Sequence, residues 1–283
     1  MQQQKIQYTD EINKNNYVDR PLVSIIMGVY NGEDTLREAI DSILNQTYTN
    51  WEFIICDDCS TDGTADVVKK YAERDSRIVY IKNDHNMRLA ASLNHCLEVA
   101  KGKYVARMDA DDISVPKRLT KQVAFLEEHK DIDVVGSQMA VFDENGQRGI
   151  RSINEYPTKE DLIKGSPLCH ATIMMKKNIY ENLNGYRVCR ETNRAEDLDL
   201  WFRFYAKGYR AYNIQEPLYR VRESLSDLKR RNIQSSVGIA KIYFYGYKLI
   251  KVPYYKRIWG VRPIVSALVP RWIRMIYYKQ RLD

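Results

Sequence analysis

No run of about 18 uncharged apolar residues occurs in this chain, so the sequence predicts no transmembrane helix. Cysteine is sparse and odd in number: Cys56, Cys59, Cys96, Cys169 and Cys189 form no regular framework, which excludes a disulfide scaffold. Nothing at the start reads as a signal peptide, and the two absences together predict a reducing, cytoplasmic setting. Internal repeats and low-complexity stretches are lacking. So is a complete G-x-G-x-x-G after the first apolar run: Gly28 and Gly32 stand without a third glycine, which argues against a dinucleotide-binding oxidoreductase. A Gly-rich loop bearing Lys or Arg is missing there too, which argues against a nucleotidyltransferase.

The 283 residues are 44% hydrophobic and 29% charged, the composition of a folded chain long enough for one large domain or a domain with an appendage. The charge of +7 is unevenly spread. Residues 229–283 hold 13 Lys/Arg against the single acid Asp283, so the preceding residues sum to −5. A mildly acidic body with a basic accessory segment argues against nucleic acid as the partner of the body. The polar first twenty residues lack an apolar period and read as a loose arm. The resulting division is 1–20 as a flexible arm, 21–228 as the main domain and 229–283 as a helical extension.

Along the main domain, apolar β-branched runs alternate with helical spacing. Leu22–Met27, Trp51–Cys56, Arg77–Ile81 and Lys103–Met108 read as strands. Between them, stripes through Leu36, Ile40 and Ile43, through Ala65, Val68 and Tyr71, and through Leu89, Leu93, Cys96 and Ala100 read as helices. Strand–helix alternation with short connections predicts an α/β open sheet with parallel pairing and helices on both faces. Later, Ile132–Phe142 reads as strand, Asp143–Gly146 as a hairpin turn and Glu196–Lys207 as a helix. Ligands of such sheets sit beyond the carboxyl ends of the strands, which selects Gly28–Asn31, Asp57–Gly63 and Asp109–Asp112.

Two of these loops are acidic beyond what a turn requires. Asp109, Asp111 and Asp112 crowd into four residues and repel one another unless a cation intervenes. In extended backbone Asp109 and Asp111 would point the same way, and their hard oxygens suit Mg²⁺ or Mn²⁺. Equally, the cluster could cap a helix starting near Val115–Pro116, with Asp112 or Ser114 as N-cap. In Asp57–Gly63, Thr61 or Asp62 would cap the next helix, which leaves acids unexplained. Cys56 and Cys59 form a C-x-x-C whose acidic interior disfavours a redox site.

Five blocks in order carry a resemblance: SIIMGVYNGEDTLREAIDSILNQTYTNWEFIICDDCSTDGT, LAASLNHCLEVAKGKYVARMDADDISVPKRL, HATIMMKK, NGYR and AEDLDLW. Together they span about Val23 to Ser226 and resemble the family 2 inverting glycosyltransferases, whose catalytic domain has the GT-A fold. The resemblance implies that Tyr30 stacks on the nucleotide base and that Asp58 accepts a hydrogen bond from it, which suits N3–H of uracil. Arg88 stands where many members have Gly; it is a base contact or a solvated helix-start charge. Asp109 and Asp111 match the D-x-D motif, the first facing the ribose or the metal's waters and the second binding the divalent ion. Asp112 corresponds to an acid that supports the loop. Asp197 matches the general base, with Glu196 and Asp199 as rivals that could equally serve the helix dipole. His170 and Thr172 resemble a block lining the site, although a lone His is more often structural. Arg222 replaces a His that ligates the metal in many relatives; it cannot coordinate a cation, and it could contact the diphosphate instead. Cys59 replaces the more usual Gly.

The implied activity is single transfer of a hexosyl or N-acetylhexosaminyl unit from a UDP-sugar, with Mn²⁺ or Mg²⁺. The acceptor is a carbohydrate, such as a lipid-linked glycan of surface polysaccharide or O-antigen. The alternative is a non-catalytic relative that binds nucleotide-sugar or glycan. The Q-x-x-R-W signature of processive synthases is absent. From Lys229 onward ten aromatics interleave with the basic residues, and Pro253, Pro263 and Pro270 divide the segment into short helices. That composition suits the interface of an anionic membrane at the inner face of the cell membrane; the alternatives are a helical cap on the domain or a dimer contact.

Overall fold

The computed structural model describes residues 20–223 and 233–269. Most of the expected N-terminal arm, and Pro270, Trp272, Tyr277 and Tyr278 of the C-terminal segment, lie outside the described residues.

Strand β1 (Val23–Val29) is buried on both faces, as its apolar run requires. Ile26 faces one core, and Ile25 and Met27 face the other, the two-residue period of a central strand. Helix α1 (Glu33–Leu44) leads to β2 (Trp51–Asp57), α2 (Thr64–Ala72) to β3 (Ile78–Lys82), and α3 (Leu89–Val99) to β4 (Tyr104–Arg107). Pairs β1–β2, β2–β3 and β1–β4 are all parallel, so the chain reverses direction across the sheet at β1. The loops after β1 and β4 therefore face each other across a crevice.

Beyond β4 the sheet becomes mixed. Its later members are β5 (Ile113–Ser114), β6 (Val134–Asp143), β7 (Gly146–Arg151), β8 (Met174–Lys176) and β9 (Ala211–Arg222). The order is β3-β2-β1-β4-β8-β6-β9-β5, with β7 paired to β6 through the Asp143–Gly146 hairpin. Helices α1, α2 and α4 (Arg118–Glu128) contribute to the core on one face. Helices α3, α5 (Lys177–Asn182) and α6 (Glu196–Ala206) contribute to the core on the other. The expected open mixed α/β sheet with helices on both faces is present.

Two local expectations fail around the acidic turn. Strand β4 ends at Arg107, and Ala110–Asp111 form a turn, so Asp109 and Asp111 do not alternate along extended backbone. Helix α4 begins at Arg118 with Lys117 at its cap, and neither Asp112 nor Ser114 caps it. The reason is pairing: Ile113 and Ser114 join β9 opposite Arg220 and Tyr219, which draws the chain after the acids into the sheet.

At the other end, α7 (Ile233–Leu249) precedes a 3₁₀ segment, Tyr254–Val261, and α8 (Arg262–Leu268). Pro253 caps the 3₁₀ segment and Pro263 lies in the first turn of α8, where proline opens a helix. Ile242, Tyr243, Tyr247 and Ile250 enter the same core as Trp201 and Phe202 of α6. Gly246 makes this possible, because a Cβ there would drive into the Phe202 ring. No helix among the described residues is long and apolar enough to cross a membrane.

Candidate active site

Four loops and one helix start converge at the carboxyl edge of β1, β2 and β4. In the first loop Tyr30 presents its ring at 49% exposure. Asn31 follows at φ 51° and accepts the Thr61 N–H at 2.9 Å, which ties this loop to the second. The two loops also exchange caps. Asp62 accepts the Glu33 N–H at the start of α1, and Glu33 accepts the Gly63 N–H at the start of α2. Asp62 thus serves two helix starts, its other oxygen taking Thr64 N–H.

The remaining acids of this loop have separate tasks. Asp57 is buried and accepts Ser60 N–H and the Tyr80 hydroxyl. Asp58, at 3% exposure, accepts the amides of Met87 and Arg88 at 2.8 Å each, and the Asn83 side-chain amide at 2.8 Å. Asn83 Oδ1 lies 2.9 Å from His95 Nδ1 and accepts from it. Cys56 lies buried beside Asn83 and Cys59 points to the Asp84 carbonyl, so the C-x-x-C pair is divided between two environments. Cys59 holds φ 63°, the conformation that the more usual Gly adopts freely.

Below the acidic turn lies Arg107, wholly buried. It donates to the Met108 carbonyl and pairs with Asp109 at 2.5 Å. Burial is the largest influence and pushes its guanidinium pKa down, but Asp109 together with Tyr186, Tyr219 and Tyr180 outweighs it and keeps the group charged. Tyr219 of β9 accepts the Asp109 N–H at 3.0 Å and bonds Asp112. Asp112 also accepts the Arg222 N–H at 2.8 Å, so it braces the turn. Desolvation, reinforced by the charges of Asp109 and Asp111, raises Asp112 to about 8. Asp111 is exposed at the tip of the turn. Among the described residues no group of three His, Cys, Asp or Glu is placed to hold a metal unaided. Asp109 and Asp111 offer hard oxygens on this turn, the donor chemistry of an ion that keeps waters and substrate phosphates beside one or two carboxylates.

Arg222 sits against this turn. Its Nε donates to the Asp111 carbonyl at 3.1 Å, it pairs with Glu38, and it stacks on Phe142 at 4.6 Å. Arg222 is thus beside the acidic turn, with its guanidinium engaged by protein.

Helix α6 brings its N-terminal acids over the same edge. Asp199 is consumed structurally, fully buried between Arg187 at 2.5 Å and Arg203 at 2.8 Å. Glu196 and Asp197 remain at the opening. Desolvation, then the Asp197 charge, raises Glu196 to about 7. Desolvation also raises Asp197, although Leu198 N–H donates to it at 2.7 Å. The field of Asp109 raises both and that of Arg107 lowers both, which places the acidic turn and this helix start in one electrostatic site. His170 packs against Tyr186 and Trp201, with Nε2 2.8 Å from the Tyr186 hydroxyl. Burial drives its pKa well below the ordinary value, so it is a neutral imidazole in the floor of the site.

Comparison with known proteins decides what this assembly is. The model of glycosyl transferase family 2 matches residues 24–183, which contain the first three loops and the acidic turn. The chain belongs to glycosyl transferase family 2. This family 2 transferase is 50% identical over 263 residues to EpsE of Bacillus subtilis (strain 168), named as a glycosyltransferase, covering 93% of this chain and 95% of that one. It is 32% identical over 227 residues to the Escherichia coli UDP-Glc:alpha-D-GlcNAc-diphosphoundecaprenol beta-1,3-glucosyltransferase WfaP, covering 77% and 87%. Its fold matches the crystal structure of S. aureus TarS 1–349 in complex with UDP, with TM-score 0.63 and 21% identity, covering 87% and 70%. The protein is therefore a GT-A-fold glycosyltransferase, and its relatives include one named for O-antigen biosynthesis, WbnJ of Escherichia coli.

Arg107, Tyr219 and Asn83 carry much of the site's order, yet none was singled out from the sequence. Arg107 had a signal: a lone cation inside the apolar YVAR strand must find a buried partner. Tyr219 and Asn83 had none, because their partners lie 110 and 25 residues away.

Proposed function

We propose that the protein transfers a single sugar from a UDP-sugar, with inversion, to a hydroxyl of a lipid-linked glycan during assembly of a surface polysaccharide. One observation carries this reading: the acidic turn at 109–112 and the Glu196–Asp197 helix start share one electrostatic site. Tyr30 stacks on the base, and Asp58 with the 87–88 backbone forms the rim that recognises its edge. Asp109, held by Arg107, faces the ribose and the ion's waters, while Asp111 reaches the divalent ion. Bound Mn²⁺ or Mg²⁺ would neutralise the diphosphate leaving group. Asp197 accepts the proton of the acceptor hydroxyl as that oxygen attacks the anomeric carbon from the face opposite the nucleotide. Glu196, His170 and Arg222 border the acceptor and phosphate region, and Arg222 acts by fixing the turn.

The C-terminal segment places the enzyme on its lipid-linked acceptor. Tyr254 and Tyr255 are 84% and 76% exposed, with Ile258, Val265 and Leu268 also outward and Lys256, Arg257 and Arg262 among them. Aromatic rings at headgroup depth with cations on lipid phosphates are the composition of an interfacial anchor, here at the cytoplasmic face.

A thermal-shift panel of UDP-sugars with and without Mn²⁺ tests the donor reading. UDP-sugars are expected to raise Tm only with the ion, and Asp111→Asn to remove that increment. Stabilisation by UDP that ignores both the ion and the substitution would overturn it.

A further inference from the structure

At the opposite end of β9 from the acidic turn lies a cleft of about 530 Å³ that the transfer chemistry does not use. Tyr212 lines its far wall, seven residues before Tyr219 and so roughly 20 Å from the turn at about 3.3 Å per strand residue, while Glu216 lines its near wall three residues before Tyr219. The volume falls within the roughly 300–1,000 Å³ of small-molecule pockets.

Its walls are aromatic and its rim is polar. Phe125 of α4 stacks on Tyr212, with ring centroids 4.3 Å apart and 20° between planes. Tyr156 makes a T-shaped contact with Tyr212 at 5.1 Å and is 63% exposed, so most of this residue is open to solvent. Around the rings, Glu155 accepts the Tyr212 hydroxyl, Gln215 lines the opening, and Arg210 pairs with Asp131 at 2.5 Å. Glu216 adds another acid, itself paired with Lys121. Asp131, Glu155 and Glu216 line it beside Arg210 and His129, and Arg210 is committed to Asp131, so a nucleotide or a phospholipid headgroup finds no uncommitted arginine to bind it. A purely apolar ligand would leave the rim's polar groups desolvated. A neutral pyranose matches both features, since its C–H face packs on an aromatic ring and its hydroxyl edge bonds carboxylate, amide and guanidinium groups.

We propose that this cleft is a second carbohydrate-binding site, which holds a neutral pyranose unit of a glycan against Tyr156 and Tyr212, apart from the donor crevice. It requires no turnover, so it stands or falls independently of the transferase reading. The test is saturation-transfer NMR on the full chain with chitobiose, cellobiose and maltose, in the presence of saturating UDP and Mn²⁺. At least one disaccharide is expected to receive transfer under those conditions. Tyr156→Ala should weaken its binding about tenfold, the scale of one lost stacking contact, and Tyr156→Phe should retain it. Because Tyr156 is exposed, an unchanged Tm and an unchanged UDP-induced shift will confirm that Tyr156→Ala is folded. Absence of transfer to all three sugars, loss of transfer when UDP is added, or indifference to Tyr156→Ala would each overturn the proposal.

Discussion

Asp58 grips the amide of Arg88 at 2.8 Å while Arg88 holds φ 71° and ψ 168°, a backbone region otherwise left to glycine. The Met87 amide at 2.8 Å completes the clamp. A non-glycine residue in this region costs on the order of 1–3 kcal/mol, and it persists where the surroundings over-determine it. Here the over-determination comes from the buried Asp58 carboxylate, at the rim of the crevice proposed above to hold the nucleotide.

Replacing Arg88 with Gly should therefore raise stability, by about 1 kcal/mol on that scale. The same change removes the guanidinium and should weaken UDP binding. Calorimetric titration with UDP beside thermal unfolding separates the two effects. A Tm that falls would show that the backbone is not strained.

The Glu196–Asp197 pair predicts two pH dependences. The base must be ionised, and its pKa is raised, so kcat/KM should climb with pH along a limb whose midpoint lies above the ordinary aspartate value of 3.8. Asp197→Asn should lower kcat by about 10²–10⁴-fold, whereas Glu196→Gln should retain most activity. For stability, an unfolded Glu196 ionises near 4.5 while the folded one keeps its proton to about 7. Between those values the folded chain binds more protons, so stability falls as pH rises through this window. Glu196→Gln should flatten that part of the Tm–pH curve, and a profile unchanged by the substitution would contradict the assignment.

Gly246 joins α7 to α6, the helix that carries the proposed base, through Phe202. Gly246→Ala should cost about 1–3 kcal/mol by overpacking. Since Tyr243 of α7 lies near enough to feel the Asp197 charge, displacement of α6 should lower kcat more than it alters donor KM. Steady-state kinetics with varied UDP-sugar would read this split; equal loss in both parameters would place the damage at the donor site instead.

Membrane contact is best tested without deleting the segment, because α7 fills the core beside Trp201 and Phe202. A triple substitution, Tyr254→Ser, Tyr255→Ser and Trp259→Ser, removes exposed rings and leaves that packing intact. The wild-type chain should float with vesicles containing phosphatidylglycerol and not with phosphatidylcholine alone. The triple variant should stay at the bottom of the gradient. Equal flotation of both proteins would remove the membrane from the account.

How far the sequence could be read follows from the range of the interactions. Burial of β1 on both faces, and the helices after it, were legible because periodicity is a local property. The expected cap for α4 failed because Ile113 and Ser114 found a partner strand that begins almost a hundred residues later. Among the acids of Asp57–Gly63, local sequence offers a role only for Asp62, as a cap of the next helix, and the structure bears it out. In the structure each has its own partners: Asp57 takes Tyr80, Asp58 the 87–88 amides and Asp62 two helix starts. Asp199, a rival for the base by sequence alone, is removed from contention only by Arg187 and Arg203 closing on it.

By itself, then, the order of residues determined the alternation of strand and helix, the acidic character of the carboxyl edge and the family. Those depend on neighbours within a few turns of chain or on motifs read directly. Which carboxylate braces, which caps, and that α7 shares the core of α6 were decided by tertiary structure. A carboxylate's role depends on the donors and charges within a few ångströms of it, and here those come from distant strands and helices that only folding brings together.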